Sequence, residues 1–130
     1  MSEAPVATPT ILLVDDEEDL RDIMRRMLQK RGFAPLVAGD PDEALAILQE
    51  QAGTVDVLVT DLTLPGGASG GELAAKAVAM YPELKVIFIS GLPKDIAVAK
   101  GLVGEDALLV KKPFTAGSLI EAVNEVLGRN

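Results

Sequence analysis

Cysteine and histidine are both absent from this chain of 130 residues, and each absence excludes a set of reaction mechanisms. Without cysteine there are no disulfides, no thiolate metal ligands and no cysteine nucleophile. Without histidine there is no Ser-His-Asp or Cys-His catalysis and no imidazole ligand. Carboxylates, hydroxyls and lysines remain as reactive groups, and their oxygen ligands favour a hard cation such as Mg²⁺.

Long apolar runs and basic clusters are also missing. No run approaches the roughly 18 to 20 apolar residues that a membrane-spanning helix needs, and residues 1–9 lack the features of a secretory signal. We therefore expect a soluble, cytoplasmic protein with a flexible tail over residues 1–9 and one domain over residues 10–130. The formal net charge of −8 argues against nucleic-acid binding.

The chain does contain five copies of one pattern, an apolar strand-like run followed by a helical segment. Strands that are apolar throughout and joined by helices are typical of a parallel sheet covered on both faces. Pro35 cannot donate a ladder hydrogen bond, which places the second strand at a sheet edge. The pattern predicts an α/β three-layer (βα)₅ sandwich with a five-stranded parallel sheet of order 2-1-3-4-5. The predicted strands are 11–14, 34–38, 55–60, 85–89 and 107–110.

Several helix boundaries can also be predicted. Gly32 supplies a stop after the first helix, Pro41 follows a capping residue at Asp40, and Thr115 opens the last helix. The first helix is expected to bury one apolar stripe, made of Leu20, Ile23, Met24, Met27 and Leu28.

Polar residues follow four of the predicted strands at the edge where parallel sheets bind ligands. Strand one ends in Asp15 and Asp16, strand three in Asp61, strand four in Ser90, and strand five in Lys111 and Lys112. Carboxylates this close repel one another by about 4 kcal/mol per pair at an effective dielectric of 20 unless a cation lies among them. Mg²⁺ would remove that cost and could neutralise charge on a phosphoryl group.

The remaining groups suit the other oxygens of a phosphoryl group. Lys112 offers a positive charge and Ser90 a hydroxyl donor, which leaves Asp61 as the nucleophile that forms an aspartyl phosphate. Each residue also has an ordinary explanation: Asp15 and Asp16 could complement a helix dipole, Asp61 and Ser90 could be turn residues, and Lys112 could be a solvated lysine. Their joint placement at four strand ends favours a functional site.

The motifs ILLVDDEEDLR, VLVTDLTLPGG, GGELA, VIFISG and LLVKKPF closely resemble the receiver domain of two-component response regulators, across residues 10–128. The resemblance implies a flavodoxin-like receiver fold and a phosphorelay function. In this family Asp61 would accept a phosphoryl group from a phosphohistidine on a histidine kinase or histidine phosphotransfer protein. The chain would then be a signalling domain rather than an enzyme, although it would assist its own phosphorylation and dephosphorylation.

The resemblance also implies the role of each site residue. Asp16, Asp61 and the backbone carbonyl of Thr63 would bind Mg²⁺ directly, and Asp15 would contact the ion through water. Ser90 would be the switch hydroxyl, Lys112 would bind the phosphate, and the Lys112–Pro113 peptide bond would be cis. A downstream protein would bind the face formed by helix four, strand five and helix five, with the chain as a monomer or a phosphorylation-dependent dimer.

Three features depart from the usual family pattern. Leu109 replaces an aromatic residue that swings inward on activation. The PGGASGGEL segment has one extra residue, as in receivers fused to hybrid histidine kinases and their stand-alone relatives. Thr63 and Leu92 occupy positions that influence phosphoryl hydrolysis, and Leu92 cannot orient a water, so we expect slow loss of phosphate with a lifetime set mainly by partner proteins.

Three rival functions make different demands on the sequence. A degenerate receiver that only binds proteins would not need the acids, hydroxyl and lysine that are present. A flavin-binding electron carrier needs a hydroxyl-rich phosphate loop and aromatic rings, whereas this chain has DDEED after strand one and a single tyrosine, Tyr81. An aspartyl-phosphate phosphatase typically has a second aspartate two residues after the nucleophile, where this chain has Thr63.

Overall fold

Five parallel strands form one sheet in a computed structural model of the chain, which describes residues 8–63 and 69–128. The strands are β1 (Thr10–Val14), β2 (Ala34–Ala38), β3 (Val57–Asp61), β4 (Lys85–Ser90) and β5 (Leu108–Lys111). Their order, β2-β1-β3-β4-β5, confirms the predicted topology. Pro35 lies opposite Ile11 on the edge strand β2, as its missing N–H requires. Residues 1–7 of the predicted tail lie outside the described residues.

Five helices connect the strands and cover the sheet. They are α1 (Glu18–Lys30), α2 (Pro41–Glu50), α3 (Gly70–Met80), α4 (Lys94–Ala99) and α5 (Ala116–Leu127). None of them, over the ranges given above, is both long and apolar enough to cross a membrane.

The strands bury residues on both faces, as expected for a parallel sheet between two helical layers. Alternate residues belong to different apolar clusters, since successive side chains of a strand point to opposite faces. Leu12, Val14, Leu58 and Phe88 pack with residues of α2, α3 and α4, whereas Ile11, Leu13, Val57 and Ile87 pack with residues of α1 and α5. The sandwich therefore has three layers, with the charged residues of interest at the edge of the middle one.

Local signals fix several of the helix ends. The Asp40 side chain accepts a hydrogen bond from the Glu43 N–H at 2.8 Å with Pro41 at the first helical position, and Thr115 forms a capping box with Ser118. Gly32 has a φ of +84° after α1, a conformation that glycine adopts without steric cost.

Apart from shifts of one residue at the ends of other strands, two expectations differ from the structure. The third strand begins at Val57 rather than Val55, although Val55 is still buried. Ile23 was expected in the buried stripe of α1, but it is 49% exposed. Of the five stripe residues, only Met24 and Leu28 are completely buried.

Candidate functional site

The carboxyl ends of four strands bring the predicted polar residues to one edge of the sheet. Asp15 follows β1, Asp61 ends β3 and Ser90 ends β4. Lys112 follows β5, and its backbone N–H donates a hydrogen bond to the Ser90 carbonyl at 2.7 Å. Neighbouring strands in parallel register thus place these residues side by side, although they are far apart in sequence.

An acidic cluster forms the centre of this edge. One carboxylate oxygen from each of Asp15, Asp16 and Asp61 lies within 4.8 Å of the other two. The Lys112 ammonium lies 2.8 Å from Asp61 Oδ2 and 3.7 Å from Asp15 Oδ2. Lys112 therefore partly neutralises two of the three carboxylates, those of Asp61 and Asp15.

Asp15 carries the most desolvated charge in this cluster. It is 1% exposed, and its Oδ1 accepts a hydrogen bond from the Glu17 N–H at 2.8 Å. Its Oδ2 is buried and accepts no hydrogen bond from the described residues. Burial raises the pKa of Asp15 and the nearby Asp61 adds to the rise, against the opposing effects of the Glu17 N–H and Lys112.

Lys112 has the opposite balance of effects. Partial burial alone would lower its pKa, but the hydrogen bond to Asp61 and the charges of Asp61 and Asp15 outweigh burial, so that the pKa is raised. The ammonium therefore stays charged at neutral pH while it faces the carboxylates.

The cluster has the chemistry that a hard divalent cation requires. Mg²⁺ takes oxygen ligands at about 2.1 Å, so two oxygens on one ion lie at most about 4.2 Å apart. The present separations, within 4.8 Å, are close enough for small side-chain rotations or a bridging water to complete such a site. Asp15 Oδ2, which is buried and accepts no hydrogen bond from the described residues, gives a further reason to expect a cation here.

Two further predicted residues hold backbone contacts at the same edge. The Thr63 N–H donates to Asp61 Oδ1 at 3.1 Å, and the Ser90 hydroxyl oxygen accepts from the Leu92 N–H at 2.9 Å. Ser90 is 4% exposed and keeps its own O–H available for donation. The Lys112–Pro113 bond is cis, as expected.

Some residues that shape the site were not identified from the sequence. The Arg21 guanidinium donates to the Asp15 carbonyl at 2.9 Å, and a side chain at Gly39 would come within 2.5 Å of that guanidinium. A Cβ on Gly70 would overlap the Asp61 carbonyl oxygen. The only sequence signal for these contacts is the glycine itself, at the end of β2 and at the start of α3.

Leu109 and the PGGASGGEL segment are the remaining departures from the family pattern. Leu109 is partly buried and packs against the cluster on the α2, α3 and α4 side of the sheet. Residues 64–68, which include the first four residues of that segment, lie outside the described residues.

Comparison with known proteins defines the class of this chain. The profile of the response regulator receiver domain matches residues 11–124, so the chain belongs to the response regulator receiver domain family, a family of two-component signalling domains. The fold is that of the CheY-like receivers among its structural neighbours.

Individual relatives include both multidomain and single-domain proteins. The chain is 36% identical to the sensor kinase CckA of Brucella abortus, over 91% of this chain and 12% of the relative. It is 30% identical to the response regulator receiver protein CpdR of the same organism, over 90% of this chain and 95% of the relative. For several other curated relatives, this chain spans about half of the relative's length or less. RegX3 of Mycolicibacterium smegmatis is one example, with 51% of its length matched.

Solved structures give the same result. A response regulator receiver domain protein from Clostridium thermocellum is 30% identical with a TM-score of 0.81, covering 93% of this chain and 95% of that one. The receiver domain of the hybrid histidine kinase CckA is 35% identical with a TM-score of 0.76, and the match covers 91% of this chain and 98% of that one.

Proposed function

We propose that this chain is a phosphoacceptor switch in which Asp61 receives a phosphoryl group from a phosphohistidine of a partner protein in the cytoplasm. The observation that carries the proposal is the environment of Asp61. Its carboxylate lies 2.8 Å from the Lys112 ammonium and shares an acidic cluster with Asp15 and Asp16. The close placement of these carboxylates and one ammonium group supports Asp61 as the nucleophile, Lys112 as the phosphate-binding group and the acids as metal ligands.

The transfer step follows from these groups. An Asp61 carboxylate oxygen attacks phosphorus, the phosphorus–nitrogen bond of the phosphohistidine breaks, and the donor imidazole keeps the electron pair. Lys112, which now pairs with Asp61, would pair with a phosphoryl oxygen, and the Ser90 O–H would donate to another. Turnover of a substrate is not required, so the chain would act as a signalling domain rather than an enzyme.

Mg²⁺ is the cofactor that this site would hold, through Asp16, Asp61 and the Thr63 carbonyl, with Asp15 in contact through water. Bound there, the ion would offset the charge of the carboxylates and of the incoming phosphoryl group. The chain itself supplies the positions of the ligands: the Thr63 N–H holds Asp61 Oδ1, and Arg21 fixes the backbone of Asp15.

The phosphodonor would be a histidine kinase or a histidine phosphotransfer protein. A surface pocket of about 480 Å³ lies beside Lys112 and is lined mostly by apolar residues of α1 and the β5–α5 loop. Its apolar lining is Leu20, Ile23, Met27, Pro113 and Phe114. Because the pocket lies beside Lys112, a donor protein that reaches Asp61 would cover it. Burial of its apolar lining would stabilise the complex with the donor.

The phosphorylated chain would bind a downstream protein through the face of α4, β5 and α5, either as a monomer or as a dimer formed on phosphorylation. A groove of about 460 Å³ along β5 and α5, lined in part by Leu109, Phe114 and Glu121, supplies a surface for such a contact. Neither nucleic acid nor a membrane is required in this scheme.

Intact-mass measurement tests the proposal. The protein is incubated with Mg²⁺ and acetyl phosphate or phosphoramidate, beside an Asp61→Asn control. We expect one phosphoryl group, about 80 Da, to be gained in a Mg²⁺-dependent manner by the wild type only. No gain under any condition would contradict the proposal and favour a degenerate receiver that only binds proteins.

A further inference from the structure

The two glycines that begin α3 lie against backbone carbonyls of two different segments. A Cβ on Gly70 would overlap the carbonyl oxygen of Asp61 and lie 3.0 Å from its carbonyl carbon. A Cβ on Gly71 would lie 2.6 Å from the carbonyl oxygen of Leu102. The first turn of α3 therefore lies in close contact with both the end of β3 and the α4–β5 segment, residues 101–104.

Close approach is the reason that these positions hold glycine. Neither Gly70 nor Gly71 has a positive φ, in contrast to Gly32 and Gly101, so their backbone conformation would accept alanine. Alanine would also be the better helix former by about 1 kcal/mol. The contacts with the two carbonyls outweigh that preference, because a Cβ at either position would force one of the segments to move.

Hydrogen bonds tie the same turn to the end of β3. The Gly70 N–H donates to the Leu62 carbonyl at 2.8 Å, and the Ser69 side chain accepts from the Glu72 N–H at 3.0 Å. The Leu62 N–H in turn donates to the Ile89 carbonyl of β4 at 3.0 Å. A displacement of the Asp61 backbone would therefore reach the start of α3 through these bonds.

The α4–β5 segment lies at the edge of a surface groove. It follows the short helix α4, turns at Gly101 with a φ of +72°, and borders a mostly apolar groove of about 940 Å³. Phe88 of β4 lines this groove beside Leu102. Movement of residues 101–104 would change the width of the groove and the surface that a partner meets.

We propose that Gly70 and Gly71 form a positioning pair that couples Asp61 to the α4–β5 segment. Gly70 sets the backbone of the acceptor, and Gly71 passes a change at the acceptor to residues 101–104. The coupling rests on the proposed function of Asp61. It uses backbone contacts and needs no aromatic side chain at position 109, where this chain has leucine.

Hydrogen–deuterium exchange and phosphorylation rates of the full chain test this coupling. The variants are Gly70→Ala and Gly71→Ala, with Gly117→Ala as the matched control, because Gly117 also lies in the first turn of a helix, α5, and a Cβ there meets no atom closer than 3.6 Å. Leu73→Ala, which removes a buried contact of α3, controls for simple destabilisation. Each variant is measured unmodified and after incubation with Mg²⁺ and acetyl phosphate.

We expect Gly70→Ala to lower the maximal rate of phosphoryl gain by about tenfold or more, since it displaces the nucleophile. Gly71→Ala should keep a rate within about twofold of the wild type, but lose the phosphorylation-dependent exchange change over residues 101–107. Gly117→Ala should behave as the wild type in both measurements. Leu73→Ala should raise exchange across α3 while keeping the response at 101–107.

Three results would overturn the coupling. One is an unchanged exchange response at residues 101–107 in Gly71→Ala, and another is an unchanged phosphorylation rate in folded Gly70→Ala. The third is a Leu73→Ala variant that, like the expected Gly71→Ala, keeps its phosphorylation rate but loses the exchange response at residues 101–107. If Gly70→Ala does not fold, Gly71→Ala decides. If the wild type gains no phosphoryl group, the proposed function fails separately. The coupling is then tested by exchange of unmodified Gly70→Ala at residues 101–107, and exchange there equal to that of Gly117→Ala overturns it.

Discussion

Asp15 and Asp16 are neighbours in sequence, but their environments differ. Asp15 is 1% exposed, with its backbone held by Arg21, whereas Asp16 is exposed. The acidic run could be recognised as a candidate metal site from the sequence, since carboxylates after a buried strand suit a cation. Which acid is buried could not be predicted, because it depends on the direction in which each side chain leaves the strand end.

Replacement of Asp15 by asparagine should stabilise the protein in the absence of Mg²⁺. The Glu17 N–H can still be satisfied by the side-chain oxygen, while a buried charge that faces Asp61 is removed. Although the ion pair with Lys112 at 3.7 Å is lost, we expect a net gain of about 1 kcal/mol in the free energy of unfolding. Urea unfolding in a chelating buffer measures this gain.

Mg²⁺ addition provides the second half of that test. An ion that binds only the folded state should raise the stability of the wild type and raise that of Asp15→Asn less. Asp22→Asn is the matched control, because Asp22 is paired with Arg25 and Arg26 on the exposed side of α1. If Mg²⁺ does not raise the stability of the wild type, the acidic cluster does not bind the ion as proposed.

The phosphoryl group should be lost slowly once formed. Leu92 is half-buried and offers an apolar side chain two residues after Ser90, so it cannot orient a water for attack on phosphorus. We expect a half-life of minutes rather than seconds for the purified phosphoprotein, followed by intact mass after the donor is removed. Leu92→Gln should shorten it, with Leu45→Gln on α2 as a control at another half-buried leucine, and a wild-type half-life of a few seconds would contradict this explanation.

At the scale of helices, end signals were better guides than apolar stripes. Asp40, Gly32 and Thr115 act at the helix ends where the sequence places them, because capping depends on local hydrogen bonds. Ile23 was expected to be buried and is 49% exposed. A periodic stripe shows which face of a helix is apolar, but the neighbouring elements decide how much of it is covered.

The exposed part of α1 should serve the phosphodonor. Ile23→Asp should reduce transfer from a phosphorylated histidine kinase by about tenfold, since it puts a charge in the apolar pocket beside Lys112. Phosphorylation by acetyl phosphate should be unchanged, because a small donor does not cover that surface. The kinase used is the one with the fastest transfer to the wild type.

Ile96→Asp is the matched control for this experiment. Ile96 is 39% exposed and lies on α4, outside the residues that line the pocket. Equal transfer to the Ile23→Asp and Ile96→Asp variants would show that the donor does not use α1.

Across the whole molecule, the sheet order and the shared edge were predictable because few topologies satisfy apolar strands joined by helices. Pro35 fixed one edge strand, and the strand ends then brought Asp61 and Lys112 together. The contact of Gly70 with the Asp61 carbonyl was not predictable in this way. It depends on how closely α3 approaches β3, which tertiary packing determines and sequence spacing does not.

The pH dependence of stability should report the pairing of Lys112 with the acidic cluster. Because the pKa of Lys112 is raised in the folded state, chiefly by Asp61 acting against burial, its contribution is complete below the ordinary value of about 10.4. That contribution is lost as the pH rises through the folded value. In chelating buffer, Lys112→Met should be less stable than the wild type near neutral pH, and the difference should narrow at alkaline pH. Lys111→Met, which changes an exposed lysine beside it, should show no such narrowing, and a constant difference for Lys112→Met would show that the pairing does not stabilise the fold.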